Sequence, residues 1–337
     1  MLRGYSPRGT LSGLHLRGGW PRYRSDAPKR PKPRPRVVNP EFDRAIRTLQ
    51  SSGASCAEKV TCASRLIELG GLKRRRVATA IVSSLGRCGE AARALDALAC
   101  APSPNTFTYN AAIHACRNNA RGGVLWERAI ELLRRMHRCG VAPDVVSYNS
   151  TISACEKAGQ WERALELLSE MQEHGLEPDV ISYSATISAC EKGGEWRRAL
   201  ELFNEMRRRR PEIEPNSFIY NAMISACEKA RGGAEWQCAI ELLDEMTERG
   251  IEPDVISYSA AISACEKGGE WQRALELLDA IRRRGLAPNV ISYSAAISAC
   301  EKGGEWRRAL ELFAEMRFLT NIEARTAMQC NAMQIQM

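Results

Sequence analysis

The sequence predicts an all-α fold, a superhelical solenoid of stacked antiparallel helical hairpins. Three observations carry this prediction: an internal repeat of about 35 residues, two apolar stripes at helical spacing in each repeat, and glycine or proline where each stripe ends. One hairpin of amphipathic helices cannot bury both of its stripes, so neighbouring hairpins are expected to stack around a continuous core. The periodicity leaves the hand of the superhelix open.

The repeats are most regular over residues 106–317, where six units are predicted, the last one incomplete. A tyrosine marks the first helix of every unit, at Tyr109, Tyr148, Tyr183, Tyr220, Tyr258 and Tyr293. A tryptophan opens the second helix, at Trp126, Trp161, Trp196, Trp236, Trp271 and Trp306. A cysteine recurs late in the first helix, at Cys116, Cys155, Cys190, Cys227, Cys265 and Cys300. We interpret all three series as core residues rather than as base-stacking groups or metal ligands.

The unit at 145–179 shows the hairpin most clearly. Its first apolar stripe starts at Tyr148 and continues three, four and seven residues later, which is one face of a helix. Gly159 ends this helix. The second stripe starts at Trp161 and recurs with the same period until Gly175, where the second helix ends.

The remaining segments are interpreted separately. Residues 39–105 are expected to form degenerate or capping helical repeats, and residues 318–337 a C-terminal tail. Residues 1–38 are expected to be disordered and to serve as an organellar transit peptide, because they are rich in arginine, contain serine and are nearly free of acid. A basic arm that contacts nucleic acid phosphates is the alternative for that segment.

Charge and motifs exclude several functional classes. Residues 1–40 carry ten Lys/Arg and one acid, a net +9, so the other residues sum to −1 of the total of +8. The repeat array itself is therefore near neutral. No apolar run is long enough to span a membrane. The four histidines have no catalytic or zinc-binding spacing. We therefore expect no enzyme activity, metal, cofactor or small-molecule substrate.

The unit VVSYNSTISACEKAGQWERALELLSEMQEHGLEPD resembles the pentatricopeptide repeat. The Tyr-Asn or Tyr-Ser start, the Ala-Leu-Glu-Leu-Leu second helix and the Gly-x-x-Pro-Asp close carry the resemblance. It implies a P-type array without a C-terminal catalytic domain. It also implies binding of single-stranded RNA in mitochondria or chloroplasts, about one base per repeat.

The resemblance also implies which residues face the RNA. The residue after each tyrosine would read a base together with the residue after the closing proline of the repeat. These base-reading residues are Asn110 with Asp144, Asn149 with Asp179, Ser184 with Asn216, Asn221 with Asp254, Ser259 with Asn289, and Ser294. By the family's code the five pairs favour 5′-U-U-A-U-A-3′. Base-clamping residues would lie three positions before each reader, at Phe107, Val146, Ile181, Phe218, Ile256 and Ile291.

Two alternatives remain open for these slots. Asp and Asn after the proline are also what N-capping of a helix selects, and the apolar slot is also compatible with a core between repeats. The serines two residues before each reader, Ser147, Ser182, Ser257 and Ser292, are interpreted as caps with no RNA role.

For the whole chain the resemblance favours sequence-selective RNA binding in an organelle. The protein would act in RNA processing, stabilisation or translation by binding, alone or with a recruited RNA-processing protein. A helical-repeat scaffold for protein–protein interaction is the alternative.

Overall fold

The computed structural model describes residues 39–118, 125–210, 212–230 and 235–317. These residues form helices, with no strand among them. The first helices of successive hairpins are α1 Pro40–Gln50, α3 Arg75–Arg87, α5 Thr106–Arg117, α7 Val145–Lys157, α9 Val180–Gly193, α11 Ser217–Lys229, α13 Val255–Gly268 and α15 Val290–Lys302. Their second helices are α2 Cys56–Glu68, α4 Ala91–Ala99, α6 Trp126–Arg138, α8 Trp161–Glu173, α10 Trp196–Arg209, α12 Trp236–Glu248, α14 Trp271–Arg283 and α16 at 306–317.

The hairpins stack in chain order. From α3 onward each first helix packs on its own second helix and on the first helices of the neighbouring repeats. This arrangement confirms the predicted all-α solenoid. Two hairpins, α1–α2 and α3–α4, precede the regular units, and a short 3₁₀ turn at Gly71–Lys73 joins them.

Core residues lie where the two stripes predict them. The six repeat tyrosines are at most 4% exposed, and the six repeat cysteines at most 5%. Gly159 and Gly175 end their helices with φ of 68° and 72°, a conformation that costs glycine little. Residues 1–38 and 318–337, interpreted above as a transit peptide and a C-terminal tail, lie outside the described residues.

Five of the six repeat tryptophans pack against the core, as predicted, but the series is less buried than the tyrosines and cysteines. Five of the rings are only half-buried, and Trp306 is 60% exposed. The reason is their position at the start of the second helix, where each ring can cover the end of the next repeat's first helix. A Cβ added to Gly193 would lie 2.3 Å from Cδ1 of Trp161, and one added to Gly303 would lie 2.2 Å from Cδ1 of Trp271. The residues that would follow Trp306 in this way lie beyond 317.

No helix in the described ranges combines the length and the apolarity that crossing a bilayer requires.

Candidate nucleic-acid interface

The predicted base-reading pairs meet at the joints between consecutive first helices. Each reader is the fifth residue of a first helix, and its partner is the N-cap of the next first helix. Because these helices lie side by side, the two side chains can touch although they are 30 or more residues apart. Nδ2 of Asn110 donates to Oδ1 of Asp144 over 3.0 Å, and Nδ2 of Asn149 donates to Oδ1 of Asp179 over 3.0 Å.

The other pairs vary. Asn221 contacts Asp254 more loosely, with Nδ2 at 3.4 Å from Oδ1. The hydroxyl of Ser259 lies 3.3 Å from Oδ1 of Asn289.

One pair is not joined. Ser184 donates its hydroxyl to the carbonyl oxygen of Val180 instead, and among the described residues no hydrogen bond links it to Asn216. The last reader, Ser294, is exposed at the end of the array, and its partner position falls after residue 317.

A serine hydroxyl, which the sequence interpretation left without an RNA role, completes each Asn–Asp pair. Ser147 donates to Oδ1 of Asn110 over 2.6 Å, and Ser182 donates to Oδ1 of Asn149 over 2.6 Å. Ser257 does the same for Asn221 over 2.5 Å. A carboxylate only accepts hydrogen bonds, so the amide nitrogen must face the aspartate and the amide oxygen the serine. The reader amide is thereby held in one orientation.

The same serines take part in capping, but the N-cap residue is the aspartate three residues earlier, and the serine is its partner in a capping box. Oδ1 of Asp179 accepts the Ser182 backbone N–H over 2.9 Å, and the Ser182 hydroxyl accepts the Asp179 N–H over 3.1 Å. This reciprocal capping box recurs at Asp144 and Asp254. Capping is therefore real at this slot, and it coexists with the contact to the reader. The missed signal was the spacing, since Asp and Ser stand three residues apart in every such cap.

Hydrogen bonding also keeps Asp144 ionised. Burial alone would raise its pKa, but the hydrogen bonds from the Asn110 amide and from the backbone N–H of Ser147 outweigh this effect. The pKa of Asp144 is lowered as a result. An ionised carboxylate offers only acceptors to a ligand.

The predicted base-clamping slot lies on the surface. Each of these large apolar side chains is more than half exposed: Phe107, Val146, Ile181, Phe218, Ile256 and Ile291. The alternative of a core between repeats is therefore wrong for this slot. Each side chain is three residues before a reader, so the two project from the same face of the first helix. Packing within the fold does not account for six large apolar side chains that are so exposed and so evenly spaced. Exposed apolar surfaces of this kind mark interaction sites.

The reading arrangement continues one hairpin upstream. Oγ1 of Thr79 in α3 lies 2.8 Å from Oγ1 of Thr108, and Thr108 donates its hydroxyl to Oδ1 of the N-cap Asn105 over 2.8 Å. Thr79, Thr108 and Asn105 thus occupy the places of Asn110, Ser147 and Asp144 in the next repeat.

Four of the lysines at the ends of the first helices form ion pairs with glutamates of the preceding repeat. Lys192 lies 2.7 Å from Glu156 in the preceding repeat, and Lys267 lies 3.1 Å from Glu228. Two further pairs extend the series, Lys229 with Glu191 and Lys302 with Glu266. This ladder joins neighbouring repeats and neutralises the positive charge along the row of first helices.

Comparison with known proteins agrees with this architecture. Sequence models of the PPR repeat family match residues 104–157 and 143–192, and a PPR repeat model matches 181–210 and 218–251. A pentatricopeptide repeat domain model matches 241–305. Together these matches cover more than half of the chain.

Individual relatives cover the chain unevenly. A chloroplastic pentatricopeptide repeat-containing protein of Arabidopsis thaliana is 31% identical over 84 residues, 25% of this chain and 14% of that protein. The crystal structure of maize PPR10 superposes with a TM-score of 0.60 at 26% identity, covering 86% of this chain and 42% of PPR10. PPR10 in complex with an 18-nucleotide psaJ RNA element gives a TM-score of 0.52 at 20% identity, covering 82% and 45%.

The chain spans less than half the length of each of these proteins. The matched repeat models, the stacked hairpins and the PPR10 superposition agree with one another. The chain belongs to the pentatricopeptide repeat family.

Proposed function

We propose that this protein binds single-stranded RNA sequence-selectively, with each repeat contacting one base. The observation that carries the proposal is the unit formed by a reader amide, an Asp carboxylate and a locking Ser, beside an exposed apolar side chain. This unit recurs along one row of stacked first helices. The RNA that maize PPR10 carries in its complex is consistent with the proposal.

The free atoms of the Asn–Asp pairs suit uracil. At Asp144, Oδ1 serves the helix cap and the Asn110 amide, while no described residue hydrogen-bonds to Oδ2. Uracil presents an N3–H donor between two carbonyl acceptors. Oδ2 of Asp144 can accept from N3–H, while the second hydrogen on Nδ2 of Asn110 donates to a carbonyl oxygen.

The Ser–Asn pairs suit adenine. Oδ1 of Asn289 caps α15 by accepting the Ser292 N–H over 2.8 Å, which leaves its Nδ2 group as a donor. Adenine presents an N1 acceptor beside the N6 amino group. An amide donor matches N1, whereas a carboxylate at that place would repel it. The five pairs then predict a preference for 5′-U-U-A-U-A-3′, and the Thr79–Asn105 pair adds one position before it.

Affinity is expected to come from apolar contact more than from charge. Aromatic stacking on a base is worth about 1–3 kcal/mol, and only Phe107 and Phe218 among the clamps are aromatic. The Lys–Glu ladder leaves few free cations for phosphate, so the dependence of the affinity on salt should be shallow. A five-base site occurs about once in a thousand bases, so a recruited RNA-processing protein would sharpen target choice.

The proposed setting is an organelle. The arginine-rich residues 1–38 have the composition of a transit peptide, and the matched Arabidopsis protein is chloroplastic. There the protein would act in RNA processing, stabilisation or translation through binding rather than catalysis.

Selection from a randomised single-stranded RNA pool tests the proposal. We expect enrichment of a U-U-A-U-A core by the full chain. The variant Asn149→Ser with Asp179→Asn should change the second base from U to A. The reciprocal variant Ser184→Asn with Asn216→Asp should change the third base from A to U. An unchanged preference in both variants would refute the reading assignment, and no enrichment at all would favour the protein scaffold.

A further inference from the structure

Two histidines and a glutamate converge where the second helices of the first two regular repeats meet. His137 lies in the last turn of α6, Glu170 lies near the end of α8, and His174 is the C-cap of α8. One potential ligand atom from each of the three lies within 4.8 Å of the other two. The imidazole rings meet edge to face with centroids 4.8 Å apart. None of these side chains takes part in the proposed RNA interface.

The later repeats show which residues this joint holds elsewhere. Arg207 follows Met206 just as His137 follows Met136, and Glu245 and Arg249 stand around Met246 as Glu170 and His174 stand around Met171. There both guanidinium groups bind the carboxylate, Arg207 at 3.1 Å and Arg249 at 2.8 Å. The joint is an Arg–Glu–Arg ion cluster in one place and a His–Glu–His cluster in the other.

This replacement changes what the joint can bind. A guanidinium is always protonated and has no lone pair for a metal, whereas a neutral imidazole offers one nitrogen ligand. Imidazole and carboxylate together suit zinc and its neighbours among the transition metals and are poor ligands for magnesium as a set. Arg207 and Arg249 stay positively charged and cannot coordinate a metal ion, so of the two clusters only the one with His137 and His174 can do so.

We propose that His137, Glu170 and His174 bind one divalent transition-metal ion, of which Zn²⁺ is the natural candidate, with water in the open position. Ligands around a tetrahedral zinc stand roughly 3.4 Å apart, so atoms now within 4.8 Å of one another must approach by up to about 1.4 Å. Both histidines are exposed and can rotate to do so. The hydroxyl of Tyr148 donates to Oε1 of Glu170 over 3.2 Å and orients the carboxylate, as outer hydrogen bonds do at metal sites.

The bound ion would join two repeats. His137 belongs to the first regular unit and the other two ligands to the second, so coordination would link α6 to α8. In the Arg207 cluster, ion pairs provide the same link permanently. The link between these two repeats would therefore form only when the metal ion is bound.

Calorimetric titration of the reduced, metal-free full chain with Zn²⁺ tests the site, with Mg²⁺ as a competitor. We expect one ion per chain that excess Mg²⁺ does not displace. The chain also has thirteen cysteines that can take up zinc. Co²⁺ separates the two kinds of site, because nitrogen and oxygen ligation gives visible absorption without the sulfur-to-metal bands of thiolate ligation.

Two variants built on the chain's own joints complete the test. His137→Arg with His174→Arg recreates the later ion cluster and should fold, yet lose at least ten-fold in Zn²⁺ affinity. Arg207→His with Arg249→His recreates the histidine cluster around Glu245 and should add a second equivalent of bound ion. Zn²⁺ binding that the first variant leaves unchanged, or the absence of stoichiometric binding in the parent chain, would overturn the proposal.

Discussion

Removing the hydroxyl of Ser182 should weaken the second joint of the array and loosen its base preference. Ser182 is fully buried, and its hydroxyl makes two bonds at once. It donates to Oδ1 of Asn149 over 2.6 Å and accepts the Asp179 N–H over 3.1 Å. In Ser182→Ala both partners lose a hydrogen bond. At about 0.5–1.5 kcal/mol each, the loss is about 2 kcal/mol.

The natural assay is local, because repeat arrays do not unfold as one cooperative unit. About 2 kcal/mol corresponds to roughly a thirty-fold rise in the opening equilibrium at this joint. Hydrogen exchange of the backbone amides at residues 179–184 should accelerate by about that factor, while amides of the last two hairpins keep their rates.

Ser153→Ala is a matched control. Ser153 lies in α7, is 8% exposed, and its hydroxyl makes no hydrogen bond to any described residue. The same chemical change should leave the exchange rates within two-fold. Equal acceleration in the two variants would refute the argument, because it would trace the effect to serine removal in general. In the RNA selection, Ser182→Ala should weaken the preference for one base at the second position, and Ser153→Ala should leave that preference unchanged.

Three further predictions concern packing, the exposed clamps and pH. Gly193→Ala should destabilise the joint between α8 and α9 by about 1–2 kcal/mol, because the new Cβ would lie 2.3 Å from Cδ1 of Trp161; unchanged hydrogen exchange of the backbone amides at residues 190–196 would contradict the packing. Phe218→Ala should leave stability within about 0.5 kcal/mol, since the ring is 51% exposed, yet weaken RNA binding in a fluorescence titration; equal affinity would exclude a clamping role. Because the folded-state pKa of Asp144 is depressed, its contribution to stability is present above about pH 4 and lost as pH falls through the folded value; acid titration of Asp144→Asn should lack that step.

Sequence periodicity within single hairpins predicts much of the fold and part of the candidate site. The period, the two stripes and the glycine stops lie within single hairpins, so the tyrosine and cysteine cores follow from spacing alone. These features need no knowledge of how hairpins meet.

What the sequence did not reveal depends on contacts between repeats. The Ser147–Asn110 bond joins residues 37 apart, and it exists only because consecutive first helices stack in one register. The same is true of the Trp161 ring, whose half-burial depends on the neighbouring Gly193. His137 and His174 come together only because α6 and α8 both pack on α7, so no spacing within one helix predicts the pair.

Under the proposed function, the residue after the closing proline both caps a helix and contacts a base, and this double requirement accounts for a slot that holds only Asp or Asn. A cap needs one acceptor, which serine would also supply. A base contact needs a second heteroatom, and serine has none once its oxygen caps the helix. Asp144 uses Oδ1 for the cap and keeps Oδ2 as an acceptor, whereas Asn289 uses Oδ1 and keeps Nδ2 as a donor.

Asp and Asn cap helices about equally well, so exchanging them reverses the second group from acceptor to donor at little cost in stability. Base preference at a repeat can therefore change while the hairpin beneath it stays intact. Asp254→Asn should thus keep the cap of α13 and the stability of that repeat while changing the base preference at the fourth position. Asp254→Ser should keep the cap but lose discrimination at that base. A large fall in stability for Asp254→Asn would show that the carboxylate does more for the helix than cap it.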